Sequence, residues 1–118
     1  MQVRTGSDDR ATARLAAGLA SYALEAPVEE IMGLGRGSAT AAFARQLAMY
    51  LAHVSFGLSL SRVAIAFERD RSTVAHACHL IEDRREDADF DAWLERLEAM
   101  LRGAPPPGRP RFLMEARP

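Results

Sequence analysis

The chain has 118 residues, 48% of them apolar and 26% charged, with a formal net charge of −1, which suffices for one domain with a small core. No apolar run approaches the about 18 residues of a membrane span. The N-terminal stretch MQVRTGSDDR lacks the apolar stretch of a secretory signal, so a cytoplasmic chain is expected. A single cysteine, Cys78, excludes an internal disulfide, and the near-neutral charge excludes binding of polyanions by bulk charge alone.

Helical spacing recurs along the chain and alternating strand patterns do not. Asp8 or Asp9 starts a first helix, with Leu15, Leu19 and Tyr22 spaced to form its apolar side. Pro27 fits the first turn of a short second helix, with Glu29 and Glu30 near its positive end and Ile31 and Met32 facing inward. Gly33, Gly35 and Gly37 break the chain into a loop. A third helix is predicted from about Thr40 to Ser55 on the stripe Phe43, Leu47, Tyr50, Leu51 and Val54. A short helix follows over Ser61 to Phe67, with Ser59 or Ser61 as its cap. After a tight turn at Glu68-Arg69, Asp70 or Ser72 caps another helix that buries Val74, Cys78 and Ile81. The last helix spans Ala88 to Arg102 on Phe90, Leu94, Leu97 and Leu101, with Asp87, Asp89 and Asp91 at its start. The expected architecture is all-α, with five or six helices. Residues 1–26 form an N-terminal helix or arm, 27–102 the central domain, and 103–118 a flexible Pro-rich tail.

Charge is unevenly spread. Residues 34–85 hold seven Arg against four acids, whereas 86–102 hold two Arg against six acids. A cationic face is therefore expected in the middle of the chain, with modest, salt-sensitive affinity for a polyanion. Within that middle, a short helix, a tight turn and a longer helix with a polar front make a helix-turn-helix pattern. In such a motif the second helix enters the major groove of duplex DNA. Its front here is Arg69, Asp70, Arg71, Ser72 and Thr73. Arg can fork onto guanine, the Thr methyl can pack on thymine, and Asp can accept from cytosine. Helix capping uses the same residue types.

Three segments separate these readings. Arg45-Gln-Leu-Ala-Met-Tyr-Leu51, Leu58-Ser-Leu-Ser-Arg-Val-Ala-Ile-Ala-Phe67 and Arg69-Asp-Arg-Ser-Thr-Val-Ala-His-Ala77 resemble motifs of the C-terminal DNA-binding domain of the bacterial replication initiator DnaA family. The first is similar to Arg-Gln-Ile-Ala-Met-Tyr-Leu, the second to "SLPEIGxAF" and the third to the signature "RDHTTVxHA". Pro27-Val-Glu-Glu-Ile31 is similar to the short helix before the family's basic loop. The resemblance spans residues 27–102, in order and with one small gap.

The resemblance implies a Trp-repressor-like, DnaA C-terminal-like fold and a reader of double-stranded DNA at a DnaA-box-like site. It matches Arg69, Asp70, Arg71, Ser72 and Thr73 to major-groove residues and His76 to the signature histidine of the recognition helix. It matches Arg45 to a backbone-contacting arginine and Ser61 to a backbone-contacting proline at the motif's entry, and it puts Arg36 near the minor-groove arginine. A nucleoid-associated, cytoplasmic location follows. The chain departs from the pattern in four ways. Arg71 replaces a histidine, and the turn Phe67-Glu68-Arg69 is one residue shorter and acidic. The loop before Thr40 holds one Arg, with Gly37 where the minor-groove arginine is expected. Finally, no phosphate-cradling G-x-x-x-x-G-K-[ST] motif, and no Lys, is present.

His76, Cys78 and His79 cluster on one helix, but a closed zinc site needs four ligands and only His53 could add to them. No metal, cofactor or catalytic group is expected, and no membrane partner. Cys78 reads as core. Trp93 is expected half exposed beside the Leu94 stripe. The expected function is regulation of transcription or replication initiation by a non-enzymatic DNA-binding protein. The alternative is a protein that kept the fold and binds a replication-control protein through its acidic last helix or its tail.

Overall fold

The computed structural model describes residues 6–35, 37–105 and 111–114, and these contain seven helical segments and no strand. They run α1 (Gly6–Leu24), α2 (Val28–Met32), α3 (Ala39–Val54), α4 (Leu60–Phe67), α5 (Arg71–Arg84), α6 (Ala88–Arg102) and α7 (Arg111–Met114). The all-α expectation holds, with α7 a single added turn in the tail.

α3 is the centre because its inward positions are nearly continuous. Ala44, Leu47, Ala48, Tyr50 and Leu51 are all buried. Ser38 starts it, its hydroxyl accepting from the Ala41 amide at 3.0 Å. α1, α4 and α5 pack around it. The expected stripe extends less far than predicted, since Val54 is 45% exposed at the helix's last position.

The apolar side of α1 differs from the expectation. Its buried face is Ala13, Ala16, Ala17 and Ala20, whereas Tyr22 is 76% exposed and Leu15 lies at the surface. Alanines at this spacing let two helices approach closely, and close approach favours small side chains over long ones. The larger residues are displaced to the rim, where Leu15, Leu19 and Tyr22 line a groove with Met100 and Leu101 of α6. α1 is therefore part of the core. Asp9 secures its start to α4, accepting from Arg62 Nε at 2.9 Å and Nη2 at 2.7 Å.

α6 is held by Leu94, Leu97 and Leu101, all buried, and by a polar hub. Arg85 donates to both carboxylate oxygens of Glu98, at 3.1 and 3.2 Å, to Asp91, and to the Tyr50 hydroxyl at 2.9 Å. That hydroxyl donates to Glu82 Oε1 at 2.6 Å. Burial opposes the charge on Arg85, but the bonds from Glu98, Asp91 and Tyr50 outweigh it and raise its pKa. Burial and the Glu82 bond push the Tyr50 phenol up to about 12. Beside the hub, the Arg84 guanidinium lies 4.7 Å from the Phe43 ring centroid and 5.2 Å from that of Phe90. Trp93 stacks obliquely on Phe90 and is half-buried.

Removing one partner of this hub leaves charges without their bonds. Arg85→Ala is expected to lower unfolding free energy by about 2–4 kcal/mol and Tyr50→Phe by about 1 kcal/mol. Urea denaturation of the two variants checks this. An Arg85→Ala loss no larger than that of Tyr50→Phe would mean the hub does not hold α6.

Candidate nucleic-acid interface

The turn between α4 and α5 follows from backbone hydrogen bonding. Glu68 N–H donates to Ile65 O at 3.2 Å, and Arg69 N–H donates to Ala64 O at 2.9 Å. This paired closure of a helix C-terminus needs a left-handed residue between the two donors, and Glu68 supplies it at φ 55, ψ 49. Glycine is the usual occupant, because a side chain there crowds the following carbonyl. α4 itself begins at Ser59, whose hydroxyl accepts from the Arg62 amide at 3.2 Å. Ser61, one residue inside the helix, is left exposed.

α5 begins with an open N-terminus. Asp70 occupies the cap position in extended conformation, but its carboxylate makes no cap hydrogen bond. Helical bonding starts with Val74 N–H to Asp70 O at 3.1 Å. The amides of Arg71, Ser72 and Thr73 thus precede the helix's own ladder, at the end where its dipole favours an anion. The side chains of Asp70, Arg71, Ser72 and Thr73 are exposed, and His76 is exposed one turn further on. Opposite them Val74, Ala77, Cys78 and Ile81 are buried. The structure therefore brings five of the expected residues onto one exposed helix front.

Two others point elsewhere. Arg45, expected at the DNA backbone, is buried at 8% exposure. Its Nε donates to Ile31 O at 2.8 Å, and its Nη2 donates to Glu30 O at 2.6 Å and to Gly35 O at 3.1 Å. Burial, with the neighbouring Arg69 charge, lowers its pKa. The physical reason is that α2 has only five residues. Its last carbonyls have no helix to bond into and need a donor. Arg69, expected among the major-groove readers, is half-buried. Its Nη2 donates to Gly33 O, and its Nη1 to Phe67 O at 3.3 Å and Glu68 O at 3.4 Å. Arg36 lies outside the described residues.

The histidine and cysteine cluster does not converge. Cys78 is buried while His76 and His79 are exposed, and His79 faces Asp83 at 3.5 Å. Among the described residues no three His, Cys, Asp or Glu side chains are grouped to hold a metal. Burial, with a contribution from Glu82, pushes the Cys78 thiol up to about 11, away from the range of a reactive thiolate. Among the described residues, no helix is long and apolar enough to cross a membrane.

With this geometry in view, the likeness to known proteins is specific to the same region. The family model described as the bacterial DnaA protein helix-turn-helix matches residues 21–81, more than half of the chain. The crystal structure of a DNA replication initiation factor is similar, with a TM-score of 0.71 and 27% sequence identity. That match covers 80% of this chain and 29% of the other, so this chain spans under a third of that protein's length.

Glu68 offers a local check on the turn. Glu68→Gly is expected to raise unfolding free energy by about 1 kcal/mol by removing the left-handed strain, whereas Glu68→Ala should give no such gain. Equal stability of the two variants in thermal melts would show that the turn carries no strain of this kind.

Proposed function

The chain belongs to the bacterial DnaA helix-turn-helix family, and from that membership we propose that it binds double-stranded DNA by laying the front of α5 in the major groove. The observation that carries this reading is the run Asp70, Arg71, Ser72 and Thr73, exposed at a helix start that no side chain caps. Arg71 is the base reader of greatest reach. Two of its N–H groups can fork onto O6 and N7 of a guanine. Thr73 offers a methyl to thymine, and Asp70 an acceptor to the amino group of cytosine. Ser72 is placed for either a base edge or a phosphate, and the first-turn amides for a phosphate. His76 extends the same face, and Ser61 lies at the entry of the motif, suited to the DNA backbone.

Sequence-specific binding of this kind, at a site related to the initiator's box, would serve regulation of transcription or of replication initiation without catalysis. The alternative, docking of a replication-control protein on an acidic α6, is less well supported. Glu98 and Asp91, two of its acids, are bound to Arg85 and not offered to a partner.

The test is fluorescence-anisotropy titration of duplexes carrying an initiator box, and of scrambled duplexes, across about 50–200 mM salt, where phosphate-driven affinity changes most. Preferential binding to one duplex should persist at the upper end. The combined variant Arg71→Ala, Ser72→Ala, Thr73→Ala should lose at least about 100-fold in affinity for it, given the usual worth of a bidentate base contact plus its neighbours. Undiminished binding by a folded triple variant would reject the α5 front as the reader.

A further inference from the structure

The loop before α3 and the start of α5 are joined by one side chain. The segment that leaves α2 turns the carbonyls of Glu30, Ile31 and Gly35 to Arg45, which comes from α3. Between Ile31 and Gly35 in sequence, the carbonyl of Gly33 is taken by Arg69. Arg69 immediately precedes Asp70, the cap residue of α5, and its other guanidinium nitrogen is braced on the carbonyls of Phe67 and Glu68 at the end of α4. The guanidinium therefore ties three pieces together: the end of α4, the start of α5 and the middle of the loop. The planar fork suits this, because its N–H groups leave in fixed directions from one rigid plane. A positive charge also suits the C-terminus of α4, where the helix dipole is negative. Engaged in this way, both terminal nitrogens of Arg69 are committed to backbone carbonyls.

We propose that Arg69 is a positioning residue, which ties residues 33–35 and the end of α4 to the start of α5 and so holds the α5 front in a fixed orientation for the duplex. This rests on the DNA-binding reading above. The loop's far end is also constrained. Gly37 takes φ +64, and the Cβ of any other residue there would lie 3.3 Å from that of Ala41. The chain then enters α3 at once through the Ser38 cap. Among the described residues, Arg45 holds the loop carbonyls to α3 and Arg69 holds that of Gly33 to the start of α5.

Two readouts distinguish this role from base reading and from a plain phosphate contact. Amide hydrogen exchange of residues 33–35 in the free chain should accelerate by about 10-fold in R69A, with the amides of α3 unaffected. Affinity of R69A should fall by about 10-fold for the preferred duplex and by the same factor for each of its single-base-pair variants. R69K, which keeps the charge and loses the fork, should behave like R69A in both measurements. Unchanged loop exchange in R69A overturns the proposal. So does a loss confined to one base pair, or an R69K that binds as wild type does. A wild-type chain that binds no duplex at all would overturn the DNA-binding reading and this role with it. That result appears before any variant is made, so the two failures are distinguishable.

Discussion

The backbone between α2 and α3 has more carbonyl groups than its own structure can bond, and the candidate interface depends on how they are satisfied. A helix of five residues cannot close its last carbonyls internally, and the glycine-rich loop after it adds none of its own helical donors. Left buried without partners, each such group would cost on the order of 1–3 kcal/mol. Arginine suits the task because one side chain carries five N–H donors and no acceptor. Arg45 reaches Glu30, Ile31 and Gly35, and Arg69 reaches Gly33. The loop is thereby fixed to α3 and to the turn before α5, and the exposed front of α5 gains a defined neighbour.

The same chemistry recurs at the other end of α5. Arg85 closes α5, α6 and α3 onto one another through Glu98, Asp91 and Tyr50. Its net contribution to stability comes from satisfying groups that α6 buries, since a partly buried ion pair by itself gains little over its desolvation. Without the hub, α6 would rest on three leucines and the Phe43, Phe90 and Trp93 contacts. The acids that make the end of the sequence look like an acidic docking helix are in part structural. Asp87 caps α6 by accepting from the Phe90 amide at 3.0 Å.

Much of this was legible in the sequence, for reasons that can be named. α6, expected over about Ala88 to Arg102, spans Ala88–Arg102, because a capping aspartate precedes a regular apolar repeat. α4 and α5 were legible because a serine cap, a buried stripe and a polar front punctuate them. The face of α1 was not, since alanine carries little hydrophobic signal and the eye follows Leu15 and Tyr22, which the packing leaves outside. The exposed residues of the α5 front are also readable, from the helix-turn-helix pattern and the polar residues that open its second helix. The inward turn of Arg45 and Arg69 is not. An arginine in a sequence reads as surface charge, and only the fold reveals a set of orphan carbonyls within its reach.

That distinction changes the electrostatic argument. By sequence, residues 34–85 form the basic part of the chain, with seven Arg against four acids. In the fold, Arg45 and Arg69 are bound to carbonyls, Arg62 to Asp9, Arg85 to Glu98 and Asp91, and Arg84 lies over aromatic rings. Among the described arginines of that stretch, Arg71 alone has no intramolecular partner, and Arg36 lies outside them. Of the partnered arginines only Arg62 and Arg85 are paired with acids, while Glu68 and Asp70 stand beside the helix front, so the cationic excess near that front is small. A DNA reader built in this way would gain little from long-range attraction or counterion release. Its affinity would come from short-range fit at the base edges, which penalises a wrong base more heavily than it rewards any stretch of phosphate. On the proposed function, discrimination between duplexes would then exceed what the total affinity suggests, and Arg71 would carry the largest share of it.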